Sequence, residues 1–361
     1  MQSDKSGSKG VLLYTRPGFE REAAAEIMDR VAALELYGYV RAQEGEGVVH
    51  FVPGQDDFME ILSKKLRFGD LIFARQMVMV MDVLPSLATD DRLSPILQAL
   101  EASDLRFGDL FLETADTNEA KSLSVFMRKF QVPLRQALER SGRLVKGLPL
   151  RLHVFFYSGT SIVLGTSFSY NASPWLMGIP RLKFPPGAPS RSTLKLDEAF
   201  GLFVDDPEVS LQPGMTAVDL GAAPGGWTYQ LVRRHFRTVA VDNGAMDAAL
   251  LDSGLVDHQR VDGFRYRPPK TVDWLVCDMV EQPQRIAKLM GEWLSDQRCR
   301  RAIFNLKLPM KKRYEMVQDC REVIESRLRN ADVSWHLKFK QLYHDRAEIT
   351  GYCKIIPHSK P

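Results

Sequence analysis

Four ionisable residues in the second half of the chain stand at the ends of short apolar runs, where a fold can turn them toward one crevice: Lys195, Asp278, Lys307 and Glu348. Asp278 ends Trp274-Leu-Val-Cys-Asp, Lys307 ends Ile303-Phe-Asn-Leu-Lys, and Glu348 opens the last strand. Lys195 follows Ser190-Arg-Ser-Thr at a helix start, where serine and threonine are available as caps. Two amines and two carboxylates suit removal of a proton from a weakly acidic hydroxyl as it attacks a sulfonium methyl. A lysine does this only when neutral, so its reference pKa of about 10.4 has to fall; burial and a second ammonium both act in that direction. Lys307 is therefore expected as general base and Lys195 as its electrostatic partner and contact to a phosphate or ribose. Asp278 and Glu348, which pull the lysine pKa upward, are expected to position. Plain surface ion pairs are the competing explanation.

A second constellation supplies the electrophile. Ala217-Val-Asp-Leu-Gly-Ala-Ala-Pro-Gly-Gly-Trp-Thr228 runs from an apolar strand through a Gly/Pro turn into a helix start. Gly221, Gly225 and Gly226 let backbone approach a ligand, and the first helical turn offers unpaired N–H groups. Asp242 stands 21 positions after Gly221 at the end of a second apolar run, where a carboxylate can accept both ribose hydroxyls. The glycine spacing departs from the Gly-x-Gly-x-x-Gly that seats a pyrophosphate, so S-adenosylmethionine fits better than NAD. Asp262, read as the end of a third strand, is positioned to accept from an adenine amino group; a turn aspartate before Gly263 is the alternative.

Around these residues the pattern after position 190 alternates strand, turn and helix. Strands are expected at 215–220, 238–241, 273–277 and 302–307, helices at 228–235, 284–294 and 313–329, and an antiparallel hairpin at 334–342 and 348–356. That is a doubly wound parallel sheet with ligands at the strand carboxyl ends. Upstream, strand 11–14, helix 20–34, hairpin 37–42/48–52, helix 56–66 and strand 71–81 give βαββαβ, a ferredoxin-like order. A second piece contains helix 92–102, strand 110–114, a long helix 119–141 that Pro133 is expected to interrupt, and strands 151–156 and 161–168. The expected division is a flexible tail 1–10, units 11–83 and 84–170, a Pro-rich linker 171–189 and the α/β domain 190–361. The hexapeptide Leu-Arg-Phe-Gly-Asp-Leu occurs at 66–71 and again at 105–110, each time ahead of an expected strand, with no wider repeat.

With 361 residues, 45% hydrophobic and 26% charged, the chain is of ordinary globular composition and long enough for two or three domains. Four cysteines without a Cys-x-x-Cys pair and seven scattered histidines give neither a disulfide frame nor a zinc site, so a cytosolic, metal-independent protein is expected. No apolar run approaches a membrane span, and no membrane partner is expected. Net charge is only +3, but its distribution is uneven. Residues 298–313 carry seven basic groups and no acid, 128–151 carry seven against Glu139 alone, and Arg181, Lys183, Arg191 and Lys195 form a third cluster. Three such runs favour a polyanion over a merely solvated face.

Asp219-Leu-Gly-Ala-Ala-Pro-Gly-Gly-Trp227, Ser-Arg-Ser-x-x-Lys-Leu ending at Leu196, the Cys-Asp-Met and Asn-Leu-Lys-Leu strand ends, and their order resemble the FtsJ-type ribose 2′-O-methyltransferases with their Lys-Asp-Lys-Glu tetrad. Arg16-Pro-Gly-Phe19, Ala115-Asp-Thr-Asn118, 177–185 and 306–314 are similar to the bacterial members that act on 23S ribosomal RNA. The resemblance implies a Rossmann-like class I methyltransferase domain preceded by an α+β region in which a THUMP domain, 84–170, grips RNA. It implies methylation of a cytidine 2′-hydroxyl in 23S ribosomal RNA or a large-subunit precursor; a monomer is expected. It further implies Ser190, Ala223, Pro224, Gly225, Gly226, Asp242, Asp262 and Asp278 as contacts of S-adenosylmethionine, and Gly221 and Trp227 in the same motif are expected to join them. The family often has cysteine where Ala223 stands. Competing readings are a base methyltransferase, for which Asp278-Met-Val-Glu-Gln-Pro283 lacks the usual Pro-Pro motif, a cytosine C5 enzyme, a non-catalytic RNA-binding or assembly factor, and an NAD dehydrogenase.

Overall fold

The computed structural model describes residues 9–55 and 58–356. The tail expected at 1–10 lies almost wholly outside them. The chain divides after Pro180 into two compact units.

The first unit contains β1 (Gly10–Tyr14), α1 (Glu20–Ala32), β2 (Gly38–Ala42), β3 (Val48–Pro53), α2 (Phe58–Lys65) and β4 (Gln76–Leu84). It continues with α3 (Leu93–Glu101), β5 (Asp109–Thr114), α4 (Asn118–Lys121), α5 (Ser124–Arg140), β6 (Leu150–Phe156) and β7 (Ile162–Phe168). Its strands form one sheet in the order β2-β3-β1-β4-β7-β6-β5. The βαββαβ piece and the piece after it therefore share a sheet, joined where β4 pairs antiparallel with β7. The strand expected at 71–81 begins only at Gln76, because the buried Glu26 carboxylate on α1 accepts from Ile72 N (2.6 Å) and Phe73 N (3.0 Å). Pro133 does not interrupt α5, which passes through it, although α4 and α5 are separate where one helix was expected. The front of the expected linker packs on this unit. Asn171 accepts from Phe68 N and donates to Leu66 O, and buried Glu113 accepts from Met177 N (2.6 Å) and from the Tyr14 hydroxyl (2.7 Å).

The second unit contains α6 (Thr193–Phe203), α7 (Pro207–Ser210), β8 (Thr216–Leu220), α8 (Gly226–Val232), β9 (Arg237–Val241), α9 (Ala248–Asp252) and β10 (Val256–Gln259). β11 (Val272–Cys277), α10 (Pro283–Ser295), β12 (Cys299–Lys307), α11 (Arg313–Asn330), β13 (Ser334–Lys340) and β14 (Glu348–Ile356) complete it. The sheet order is β10-β9-β8-β11-β12-β14-β13, parallel from β10 to β12 and antiparallel at β14 and β13. Strands covered on both faces must be apolar on both, and Leu220, Trp274, Leu275, Val276, Ile303 and Phe304 are fully buried. The chain winds from β8 outward to β10, then returns to the other side of β8 as β11. At that reversal the connections leave in opposite directions, so a crevice opens between the carboxyl ends of β8 and β11.

Candidate active site

The crevice floor is the turn after β8. Gly221 has φ +80°, and a Cβ there would come within 2.7 Å of Met279 Cγ and 3.1 Å of the Met279 backbone. Gly225, at φ +118°, precedes α8; a Cβ would meet Leu250 Cδ1 at 2.3 Å. Glycine is thus favoured at both positions by conformation, and at Gly221 also by the close Met279 backbone. Asp242 ties this turn to the end of β9, its carboxylate accepting from Ala223 N (3.1 Å) and Gly244 N (2.7 Å). Each of its oxygens keeps a lone pair for a ligand hydroxyl.

Gly221, Ala223, Asp242, Asp262 and Asp278 line one cleft of about 420 Å³, together with Val241, Phe264, Met279, Val280 and Glu281. Four carboxylates and no lysine or arginine face it. Such a lining suits a ligand rich in donors and positive charge and opposes a pyrophosphate. Ser190 lies beside Gly226, where a Cβ would sit 3.0 Å from its Oγ, and its hydroxyl accepts from Ser192 N; α6 carries no side-chain cap, contrary to expectation. Pro224, whose peptide bond is cis, stands between Ala223 and Gly225 in the same turn.

Two expected contacts are placed differently. Trp227 is buried in the apolar cluster with Leu196, Phe200 and Trp274, because the first turn of α8 points it away from the cleft. Asp262 does not end a strand: β10 stops at Gln259, and Asp262 caps a turn by accepting from Phe264 N while still lining the cleft.

The four ionisable residues meet beside the cleft. Lys307 donates to Asp278 Oδ1 at 2.7 Å and to Glu348; Lys195 contacts Glu348 and lies 3.6 Å from Asp278 Oδ2. Each amine therefore touches both carboxylates. The strand register accounts for half of this arrangement, since β12 and β14 pair antiparallel with Lys307 opposite Glu348. Glu198, one helical turn after Lys195 on α6, accepts from Tyr343 N (2.8 Å), His344 N (3.0 Å) and the His344 ring, which pins the loop before Glu348 to the helix carrying Lys195. The protonation state of Lys307 departs from the sequence expectation. Burial lowers its pKa, but Asp278 and Glu348 together outweigh burial and hold it above the ordinary value, so the resting amine is an ammonium. Burial likewise works to raise the Glu348 pKa, and the Lys195 and Lys307 charges overcome it and hold the carboxylate ionised.

Sequence reasoning missed a buried polar layer behind the tetrad. Asn305, Thr350 and Asp345 are all fully buried, and Asn305 reaches Asp278 Oδ1 at 2.9 Å. The available signals were Asn305 between Phe304 and Leu306 on β12 and Thr350 after Ile349 on β14. Asp219 was also unassigned. Its Oδ2 accepts from the Thr228 hydroxyl (2.6 Å), and burial pushes its pKa from 3.8 up to about 7. The folded protein therefore keeps a proton that the unfolded chain loses above pH about 4. Stability contributed by that proton declines as pH rises from about 4 to about 7 and then levels off. Melting curves should show a shallower decline between pH 5 and 8 for Asp219→Asn than for wild type; equal slopes would refute the assignment. Cys277 is fully buried, with burial pushing its thiol up to about 12, which opposes a cysteine nucleophile. Among the described residues no cluster of His, Cys, Asp and Glu could hold a metal, and no helix is long and apolar enough to cross a membrane.

Residues 8–78 match the family described as RlmM ferredoxin-like domain, 91–168 that described as Ribosomal RNA large subunit methyltransferase M, N-terminal, and 188–323 that described as FtsJ-like methyltransferase. The Ribosomal RNA large subunit methyltransferase M of Methylococcus capsulatus is 55% identical over 348 residues, 96% of this chain and 98% of that one. The proteins of that name from Tolumonas auensis and Pasteurella multocida are each 51% identical, covering 94% and 95% of this chain and 94% and 98% of their own.

Proposed function

The chain belongs to the ribosomal RNA large subunit methyltransferase M family, and on that premise we propose that it methylates the ribose 2′-hydroxyl of a cytidine in 23S ribosomal RNA. S-adenosylmethionine is the methyl donor; when bound, it supplies an electrophilic methyl on a positively charged sulfur. The acidic, phosphate-averse cleft supports this donor: of its lining residues, Asp242 would take the ribose hydroxyls, Asp262 the adenine amino group and Asp278 the cationic end. The turn Gly221–Gly226, with Ser190 beside Gly226, would hold the other side of the ligand.

The observation that carries the reading is the Lys307–Asp278 contact, because one residue borders the cofactor cleft and the other is the base. Lys307 begins as an ammonium, and its partly exposed amine must lose that proton to solvent water before it can take one from the hydroxyl. RNA seated over the crevice expels water, which lowers the lysine pKa, while Asp278 and Glu348 keep the amine aimed at the hydroxyl. Lys195 balances the second carboxylate and faces the ribose or its phosphate. Exposed Arg128, Lys129, Arg140 and Lys146 make the piece 84–170, read as a THUMP domain, the RNA-gripping element.

Incubation with methyl-labelled S-adenosylmethionine and unmodified ribosomal RNA, followed by nuclease digestion, tests the chemistry. Label is expected on the ribose of one cytidine. Label on a base would reject the 2′-hydroxyl, and absence of label with intact cofactor binding would favour an assembly factor.

A further inference from the structure

We infer that Asn305, Thr350 and a protonated Asp345 form a directed hydrogen-bond chain that loosens the hold of Asp278 on the Lys307 proton. The chain starts from strand register: on β12 and β14, Asn305 lies opposite Thr350, two residues along from the Lys307–Glu348 pair and on the same face. Asn305 Nδ2 is 2.9 Å from Asp278 Oδ1, Asn305 Oδ1 is 2.7 Å from Thr350 Oγ1, and Thr350 Oγ1 is 3.0 and 3.3 Å from the two oxygens of Asp345.

Counting donors fixes the direction. A carboxylate already contacting two lysines takes only donors, so the amide must present its NH₂ to Asp278 and its oxygen to Thr350. The threonine hydroxyl has one proton, which goes to that amide oxygen. Contact between Thr350 and Asp345 then requires the proton to come from Asp345. That proton belongs on Oδ1, 3.3 Å from the hydroxyl, because Oδ2, 3.0 Å from it, already accepts from Leu342 N at 2.9 Å. Burial and the nearby Glu348 charge push the Asp345 pKa well above the carboxylate range, consistent with that count. The charged groups facing Asp345 are Glu348, Lys195 and Glu198; those facing Lys307 are Asp278 and Glu348.

The consequence falls on one atom. Asn305 and Lys307 both donate to Asp278 Oδ1. A second donor on that oxygen withdraws negative charge from the first, so the amide weakens the attraction that holds the ammonium proton. Asn305, Thr350 and Asp345 are thus positioning residues acting on the base through Asp278. The inference rests on the reading of Lys307 as general base.

Thr350→Val removes the hydroxyl with little change of shape and leaves the Asn305 amide oxygen without its donor, so the NH₂ is less polarised and less firmly held against Asp278 Oδ1. The rising limb of the kcat–pH profile is expected to move up by about one unit, about a tenfold loss of rate on that limb, with KM for both substrates unchanged. Thr350→Ser and Asp345→Asn, which keep a donor in place, should return the limb toward wild type. Infrared difference spectra of wild type against Asp345→Asn at pH 8 should show loss of a protonated carboxyl band, a readout independent of how Thr350→Val folds. An unshifted limb in Thr350→Val, or no such band, overturns the chain. If Lys307→Met retains turnover, the general-base reading fails instead; a dead Lys307→Met with an unshifted Thr350→Val fails the chain alone.

Discussion

Lys307→Met is expected to reduce methyl transfer by about a hundred- to ten-thousandfold, the range for loss of a positioned general base, while S-adenosylmethionine binds within a few-fold of wild type. The separation follows from placement. Lys307 touches Asp278 and Glu348 but is absent from the cleft lining, so its removal leaves the cofactor walls in place. Methionine keeps the length and apolar stem of lysine and removes only the amine. Lys195 remains against Glu348 and near Asp278, so neither carboxylate is left without a cation. Lys307→Arg should rescue nothing, because a guanidinium cannot be deprotonated in a protein. Transfer of labelled methyl and calorimetric cofactor binding, measured on the same preparations, check the claim. Turnover in Lys307→Met within threefold of wild type would remove the mechanism.

Gly221→Ala should lower the melting temperature and weaken S-adenosylmethionine binding at least tenfold. Forcing a side chain into the left-handed region at φ +80° costs about 1–2 kcal/mol. The added Cβ also meets Met279 Cγ at 2.7 Å and Met279 Cα and N at 3.1 Å. A flexible side chain can swing away, but the backbone of Met279 is the peptide that follows Asp278. Relief therefore moves the carboxylate that joins the cofactor cleft to Lys307. Gly201→Ala is the matched control: Gly201 lies within α6 with nothing within 4 Å of an added Cβ. There alanine should be stabilising by roughly 0.5–1 kcal/mol, through the helix preference alone. Thermal melts and cofactor titrations of both variants decide the matter, and wild-type affinity in Gly221→Ala would show that the turn does not shape the site.

Much of this site was legible in the chain because the signals are local. The Gly221 turn, Asp242 at the end of its apolar run and Asp278 at the end of β11 each depend on neighbours within a few residues, and the strand-turn-helix alternation directs them all to one edge of the sheet. Trp227 shows where local reading stops. It sits in the same motif as Gly226, yet the helical turn that begins there sends its indole into the core. The state of Lys307 was not legible either. Burial and two carboxylates act on it in opposite directions, and only the distances decide that the carboxylates win.

The sequence by itself determined which residue types stand at strand ends, the glycine turn that brings backbone to a ligand, and the order of elements, since these depend on covalent neighbours and side-chain period. Tertiary structure alone decided which distant partners meet. Leu-Arg-Phe-Gly-Asp-Leu forms a short 3₁₀ turn at 68–70 and enters β5 at 109–110, because the second copy has β6 as a ladder partner and the first has none. Glu348 stands between the lysines for the same kind of reason. The β12–β14 register sets Glu348 opposite Lys307 across 41 residues of chain and leaves Asp345 buried behind Thr350. Pairing of that range is fixed by packing of the whole sheet, which no short window of sequence contains.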